Sequence, residues 1–366
     1  TYTLKVRATN KKYTGINAKN IEFKIEQIKA NGDVVRTENK KTNEDGEIVL
    51  DDITEDGTYT FKITQISTPA EYELGEESKR VKTITVTKDY LSNTLTATTQ
   101  DADERFELSL DSNEKIITAT VKMDPKEFIF KINKIDEEYK NSLSDAAFSI
   151  EEPKVESIPE GTTVNGKTSD NGIAVITGEV AGQGTYTYKI TETSTPTGYY
   201  ENSEEMNVSI TFDEKGTPTN ISSSSKYIQI DEDMSKAIVG DTINLNVTNK
   251  MLDYTLEINA INKKYNKIKI DGVKVSIVGK SGDTTVYQKE ETTKNGGKIE
   301  IPINKYGQIT YTIKQISAPT EYNLTQDVTY TITRNFEDNN LVLTSPTNNT
   351  DIVLDNENKI LNVNIY

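Results

Sequence analysis

Polar and apolar residues alternate along most of the chain. Val81–Lys88 reads VKTITVTK, Thr94–Thr99 reads TLTATT, Asn207–Phe212 reads NVSITF and Lys298–Ile303 reads KIEIPI. Strict alternation turns one face of a strand to a core and the other to water. Helical periodicity is nearly absent. Short alternating strands broken by turn residues predict antiparallel β-sandwiches, each with roughly seven to nine strands. Nowhere do roughly 18 apolar residues run together, so no segment reads as a membrane-spanning helix.

The alternation recurs in three units. Thr64–Tyr72 (TQISTPAEY), Thr191–Tyr199 (TETSTPTGY) and Lys314–Tyr322 (KQISAPTEY) share a proline, at Pro69, Pro196 and Pro319. A turn marker agrees: Thr42–Gly46 (TNEDG), Thr168–Gly172 (TSDNG) and Thr292–Gly296 (TTKNG) each precede a short β-branched run. Asp-Gly and Asn-Gly are tight-turn signals between strands. Tyr2–Tyr13, Phe128–Tyr139 and Tyr254–Tyr265 open the units, each as a strand followed by a polar turn ending in Tyr. These markers place domains at 1–123, 124–251 and 252–366, too long for solenoid repeats. The junctions Lys122–Pro125 and Lys250–Asp253 are short and carry no Gly/Ser linker. They predict an extended, fairly stiff, monomeric rod.

Composition removes most chemistry. The 366 residues contain no Cys, His or Trp, and 42 Lys+Arg against 58 Asp+Glu leave a formal net charge of −16. A nucleic acid or anionic membrane surface would be repelled. Disulfides, thiol nucleophiles, Ser-His-Asp triads and His- or Cys-ligated zinc cannot be built. The chain opens on a strand-like run with no signal-peptide pattern, and Tyr366 falls within an apparent strand. It reads as a piece of a longer protein, with any signal peptide removed or not included.

Strand parity then singles out three polar residues. Phe128, Phe130, Ile132 and Lys134 share one face of the first strand of the middle unit. Tyr186, Tyr188, Ile190 and Glu192 share a face of the strand before Pro196, and Ile243, Leu245, Val247 and Asn249 share a face of the last strand. The corresponding rows carry Ala8, Gln65 and Val121 in the first unit, and Ala260, Gln315 and Ile365 in the third. All three positions change together. Burial lowers a lysine pKa and raises a glutamate pKa, favouring the neutral forms. A neutral amine is a nucleophile, a protonated carboxyl can polarise an amide and shuttle protons, and an Asn carboxamide is an electrophile. Amine attack would expel ammonia and leave a Lys134–Asn249 amide with Glu192 as catalyst. The residues also allow a non-covalent Lys–Glu pair with Asn as hydrogen-bond partner.

The segments KIDEEYKNSLSDAAFSI (Lys134–Ile150), ETSTPTGYY (Glu192–Tyr200) and NVTNK (Asn246–Lys250) resemble Cna B-type domains, called SpaA-type or prealbumin-like in Gram-positive pilins. The resemblance implies a β-sandwich with a spontaneous isopeptide bond between Lys134 and Asn249, assisted by Glu192. At the level of fold it extends to all three units. Domains 1 and 3 keep the frame, including Pro69 with Tyr72 and Pro319 with Tyr322, but lack the trio. Gln65 and Gln315 read as neutral hydrogen-bonding replacements for the glutamate; a Thr–Gln ester lacks a threonine in the apolar rows.

The remaining candidates are weaker. Asp101, Asp103 and Glu104, and likewise Asp231, Glu232 and Asp233, lack the ligand spacing of a calcium loop and read as solvated acidic turns. Ser222–Ser225 reads as a flexible loop tip. No paired carboxylates stand at inward positions, so no glycosidase-like site is evident. The chain is therefore expected not to be an enzyme beyond one single-turnover intramolecular step, and to use no cofactor or metal. A stalk or spacer of a Gram-positive, cell-wall-anchored extracellular adhesin or pilus explains the repeat, the junctions and the trio. The alternative is a host-ligand-binding module. As a stalk, the protein would meet host extracellular matrix or cell-surface ligands through other parts, with no nucleic-acid or membrane partner in this fragment.

Overall fold

The structure, a computed structural model, describes residues 1–159, 163–169, 171–202, 204–335, 340–345 and 351–366. Asp170, within the second turn marker, lies outside them. The chain divides into two compact units, one formed by Thr1–Pro196 and Glu201–Asn249, the other by Thr197–Tyr200 and Lys250–Tyr366. The first unit holds two β-sandwiches and the second holds one. Among the described residues, helix is confined to a 3-10 turn at Glu77–Lys79 and one short helix, α1 (Met234–Ala237).

The first sandwich comprises β1 (Tyr2–Asn10), β2 (Glu22–Lys29), β3 (Val34–Lys41), β4 (Glu47–Ile53), β5 (Gly57–Ser67), β6 (Val81–Asp89), β7 (Thr94–Thr98), β8 (Phe106–Asp111) and β9 (Ile116–Met123). They form sheets β4-β1-β9-β8 and β3-β2-β5-β6-β7. The second comprises β10 (Glu127–Asp136), β11 (Ala147–Glu151), β12 (Thr163–Lys167), β13 (Ile173–Glu179), β14 (Gly184–Ser194), β15 (Met206–Phe212), β16 (Pro218–Ser223), β17 (Ile228–Gln229), β18 (Ile238–Val239) and β19 (Thr242–Asn249). Its sheets are β13-β10-β19-β17, with β18 also on β19, and β12-β11-β14-β15-β16. Two two-residue strands bring its described total to ten. The third comprises β20 (Tyr254–Ala260), β21 (Lys274–Ser281), β22 (Thr284–Thr292), β23 (Lys298–Ile303), β24 (Gly307–Ser317), β25 (Val328–Arg334), β26 (Leu341–Ser345), β27 (Ile352–Asp355) and β28 (Ile360–Ile365), in sheets β23-β20-β28-β27 and β22-β21-β24-β25-β26.

Each pair of sheets closes on its own apolar core. The inward rows are those that alternation selects: Leu4, Val6 and Ala8 on β1, Phe128, Phe130 and Ile132 on β10, and Leu256, Ile258 and Ala260 on β20 are all buried. The sheets are not purely antiparallel, as the alternation alone had suggested. The first and last strands of every sandwich pair in parallel: β1 with β9, β10 with β19, and β20 with β28. A parallel neighbour requires a long crossover, and here the rest of the sandwich supplies it. The chain therefore enters a sandwich at one end of this central pair and leaves at the other.

Three local devices repeat. Asn10, Asp136 and Asn262 each accept two backbone N–H bonds on Oδ1, from Lys12 and Tyr13, Glu138 and Tyr139, and Lys264 and Tyr265. These Asx turns end the first strands. Thr42, Thr168 and Thr293 are buried and bond the backbone of the facing loop. Finally, the carbonyls of Gly46, Gly172 and Gly297 accept the N–H of Ala8, Lys134 and Ala260. The third marker thus runs Thr293–Gly297, one residue later than the motif match suggested, because the doubled glycine conceals the register. Ser222–Ser225 is not a flexible tip: Ser222 and Ser223 belong to β16, and Ser223 Oγ donates to the Asn207 carbonyl at 2.7 Å.

Candidate functional site

The inward row of β10 continues past Ile132 to Lys134, whose side chain has no exposed surface. Its backbone is clamped by the turn marker: Lys134 N donates to Gly172 O at 2.7 Å and Leu143 N donates to Lys134 O at 2.9 Å. Gly172 has a φ of +73°, and a Cβ there would stand 2.8 Å from Leu143 N and 2.9 Å from Lys134 O. Only glycine lets the turn lie this close to the lysine.

Glu192 comes from the opposite sheet. A register shift between Ala147 and Phe148 sets Glu192 opposite Phe148 in the β11–β14 pair. Its side chain is also without exposed surface, and Lys134 Nζ donates to its Oε2 at 3.2 Å. The Phe148 ring lies 5.8 Å from the lysine nitrogen, giving the pair an apolar wall. Burial lowers the Lys134 pKa to about 8, with Glu192 opposing the shift. Burial raises the Glu192 pKa, against the opposing pull of Lys134, Asn249 and Thr195. Both shifts favour the uncharged pair.

Asn249 is 1% exposed at the end of β19. In the parallel ladder Lys134 stands beside Val247, and Asp136 beside Asn249. Asn249 is therefore one strand over and two residues on from the lysine, about 8 Å between backbones by ordinary strand spacings. The structure brings all three residues to one buried end of the sandwich, with Glu192 touching Lys134 and the Asn249 side chain opposing the rise of the Glu192 pKa.

A fourth residue, not singled out by strand parity, completes the site. Asn202 lies in the loop between β14 and β15. Its Nδ2 donates to Glu192 Oε2 at 2.7 Å, to the Thr248 carbonyl at 3.2 Å and to Asn249 Oδ1 at 3.5 Å. The available sequence signal was its offset of ten residues from Glu192, which can be compared across the three units.

The other two sandwiches need two corrections. Ala8 pairs with Val121 and Asn10 with Met123, so the counterpart of Asn249 in the first sandwich is Met123, not Val121. Ala260 pairs with Ile365, which matches Val247, so Ile365 is not the counterpart of Asn249. Gln65 and Gln315 are buried and hydrogen-bonded. Gln65 Nε2 faces Met123 Sδ at 3.9 Å, while Gln315 Nε2 donates to Thr325 Oγ1 at 2.8 Å and to the Tyr366 carbonyl at 3.0 Å. Thr325 is a loop threonine, outside the apolar rows.

Two further glutamates are buried, and they meet through a backbone amide rather than as a pair of carboxyl groups. Glu152 and Glu179 are 4% and 2% exposed, and Glu179 N donates to Glu152 Oε1 at 2.7 Å. Glu179 Oε1 also takes bonds from Lys12 and Tyr13 of the first sandwich. Their burial arises where the first and second sandwiches meet, which strand alternation does not report. The acidic turns are self-satisfied: Asp101 accepts from Thr83, Asp103 from Lys82, and Asp233 caps α1 through Ser235 N. Among the described residues, no cluster of acidic side chains could hold a metal ion. No described helix is long and apolar enough to cross a membrane.

Residues 128–227 match the family described as SpaA, prealbumin-like fold domain. No curated protein matches the chain. Among solved structures, the chain is similar to the Bacillus anthracis TIE protein, at 18% identity and a TM-score of 0.41 over 90% of this chain and 47% of that one. It thus spans less than half of that protein's chain. It is also similar to a C-terminal fragment of the pilus adhesin SpaC from Lactobacillus rhamnosus GG (16% identity, TM-score 0.37, 69% and 98% covered). A third similarity is to BcpA, the major pilin subunit of Bacillus cereus (14% identity, TM-score 0.27, 100% and 98% covered). The resemblance to SpaA-type, prealbumin-like domains carried by the sequence motifs is thus shown for residues 128–227, the segment that holds Lys134 and Glu192.

Proposed function

We propose that the chain is a stalk segment of a Gram-positive surface adhesin or pilus protein, with domains at 1–123, 124–251 and 252–366, and that an isopeptide bond between Lys134 and Asn249 locks its middle domain. The prealbumin-like fold of residues 128–227 fits a Gram-positive surface pilus or adhesin protein. The observation that carries the crosslink is the Lys134–Glu192 contact of 3.2 Å between two side chains with no exposed surface. Charged, such a pair is costly to bury; neutral, it is a nucleophile beside an acid.

The step balances without a co-reactant. Neutral Lys134 Nζ attacks Asn249 Cγ, and the proton it sheds passes to Glu192. The protonated carboxyl returns a proton to the departing Asn249 Nδ2, the Cγ–Nδ2 bond breaks, and ammonia leaves. Glu192 ends as it began, and the reaction happens once per chain. Tension entering β10 would cross to β19 at the bond and bypass residues 135–248. Such a bypass suits a load-bearing segment displayed outside the cell and anchored to the wall.

Peptide mapping tests the reading. Digestion of the folded chain should yield one branched peptide joining the Lys134 segment to the Asn249 segment. Recovery of the two segments only as separate peptides would contradict it.

A further inference from the structure

The Asn202 carboxamide is oriented by its partners. The Thr248 carbonyl can only accept, so the nitrogen of Asn202, not its oxygen, must face it. The same nitrogen makes its shortest contact, 2.7 Å, with Glu192 Oε2, which also receives Lys134 Nζ at 3.2 Å. An oxygen that accepts from a donor-only amide N–H cannot direct an acidic proton along that line. The other carboxyl oxygen, Oε1, is buried and has no hydrogen-bond partner among the described residues.

From this arrangement we infer that Asn202 is a positioning residue for the crosslink: by donating to Glu192 Oε2 it holds the acidic proton on Oε1 and keeps Oε2 as the acceptor for the proton leaving Lys134. The inference rests on the crosslink reading above and adds a fourth member to its machinery. Without Asn202 the carboxyl could carry its proton on either oxygen, and half of the resulting arrangements would oppose the lysine with an O–H. The bond to the Thr248 carbonyl also ties the loop to β19 beside Asn249, so acid and electrophile are held by one side chain.

The equivalent positions support the assignment. Ten residues after Gln65 stands Gly75, which has no side chain to donate. Ten residues after Gln315 stands Thr325, whose Oγ1 accepts from Gln315 Nε2 and whose N–H donates to Gln315 Oε1 at 3.3 Å. A carboxamide at the Glu192 position needs no help in choosing a protonation site. The amide donor occurs in the sandwich where a carboxyl must be oriented.

The test follows ammonia loss in the full chain made by cell-free translation, with samples quenched in denaturant at intervals and weighed across a range of pH. Asn202→Ala should slow bond formation by up to roughly 100-fold, the low end of what a positioned general acid–base contributes. It should also move the alkaline limb of the pH–rate profile upward, because an N–H donor to the carboxylate stabilises the anion and its removal lets the last proton stay longer. Asn202→Leu keeps a similar size without donor or charge and should do the same, which guards against a defect specific to the alanine variant. Wild type that loses ammonia while both variants keep its rate, or are slowed with an unmoved limb, would overturn the role of Asn202 and leave the crosslink standing. Wild type that loses no ammonia would instead overturn the crosslink reading itself.

Discussion

The first and second sandwiches share a frame and differ in what fills one end of it. Both have the Asx turn, the buried threonine, the turn glycine against the first strand and the parallel pairing of first and last strands. At that end the second holds Lys134, Glu192 and Asn249, where the first holds Ala8, Gln65 and Met123. The frame does not require the trio. The trio, by contrast, could not change one member at a time without a penalty: a buried lysine or glutamate left without its partner costs several kcal/mol. Ala, Gln and Met form a set with no charge to compensate. In the proposed crosslink, the fold supplies the geometry, while burial of a matched acid and amine supplies the reactivity.

The largest effect should come from removing the amine. Lys134→Ala should abolish the bond and lower the stability of the middle sandwich by roughly 4–5 kcal/mol in the chain-entropy view of a long closed loop. Single-molecule pulling should then show one more unfolding step of full domain length than wild type. Identical unfolding of variant and wild type would break the mechanical half of the comparison.

The reverse exchange is a sharper test. The combined variant Ala8→Lys, Gln65→Glu and Met123→Asn should give the first sandwich a bond of its own, read as a second ammonia lost on intact mass. Adding Gly75→Asn should speed it. Gly75 sits at φ +73° with open space where a side chain would go, and Asn tolerates that left-handed backbone better than most residues. A transplanted trio that never reacts would show that the frames differ in more than these residues.

The smallest effect concerns a buried carboxyl outside the trio. Burial raises the Glu152 pKa from 4.5 to about 7, with Lys12 opposing and Glu127 adding to the shift. The folded chain thus holds this proton more tightly than the unfolded chain. Its contribution is fully favourable below pH 4.5 and is lost as pH rises through about 7, a difference of about 3 kcal/mol. Glu152→Gln should flatten that slope in thermal denaturation and leave the ammonia loss unchanged. A changed mass would mean that burial of any carboxyl, not its pairing with an amine, drives the chemistry.

Much of this comparison was legible in the sequence, because alternation reports which side chains point inward. It selected the rows ending in Lys134, Glu192 and Asn249, and the proline and turn markers found three frames. Register at strand ends was less legible. Strand parity allows both Val121 and Met123, and only the pairing of Asn10 with Met123 decides between them. The parallel pairing of β10 with β19 leaves no local sign, since both strands alternate as antiparallel ones do. Asn202 lies in a loop, where no periodicity applies. Glu152 and Glu179 are buried by a neighbouring sandwich, a contact between residues 166 or more apart in sequence for Tyr13 and Glu179.

The central claim is one covalent bond in the chain, in the middle sandwich. Intact mass of the folded protein tests it most directly. The account predicts a mass lower than that of the sequence by one ammonia, restored in Lys134→Ala and in Asn249→Ala. A mass equal to that of the sequence, or one short by two or more ammonias, would contradict it.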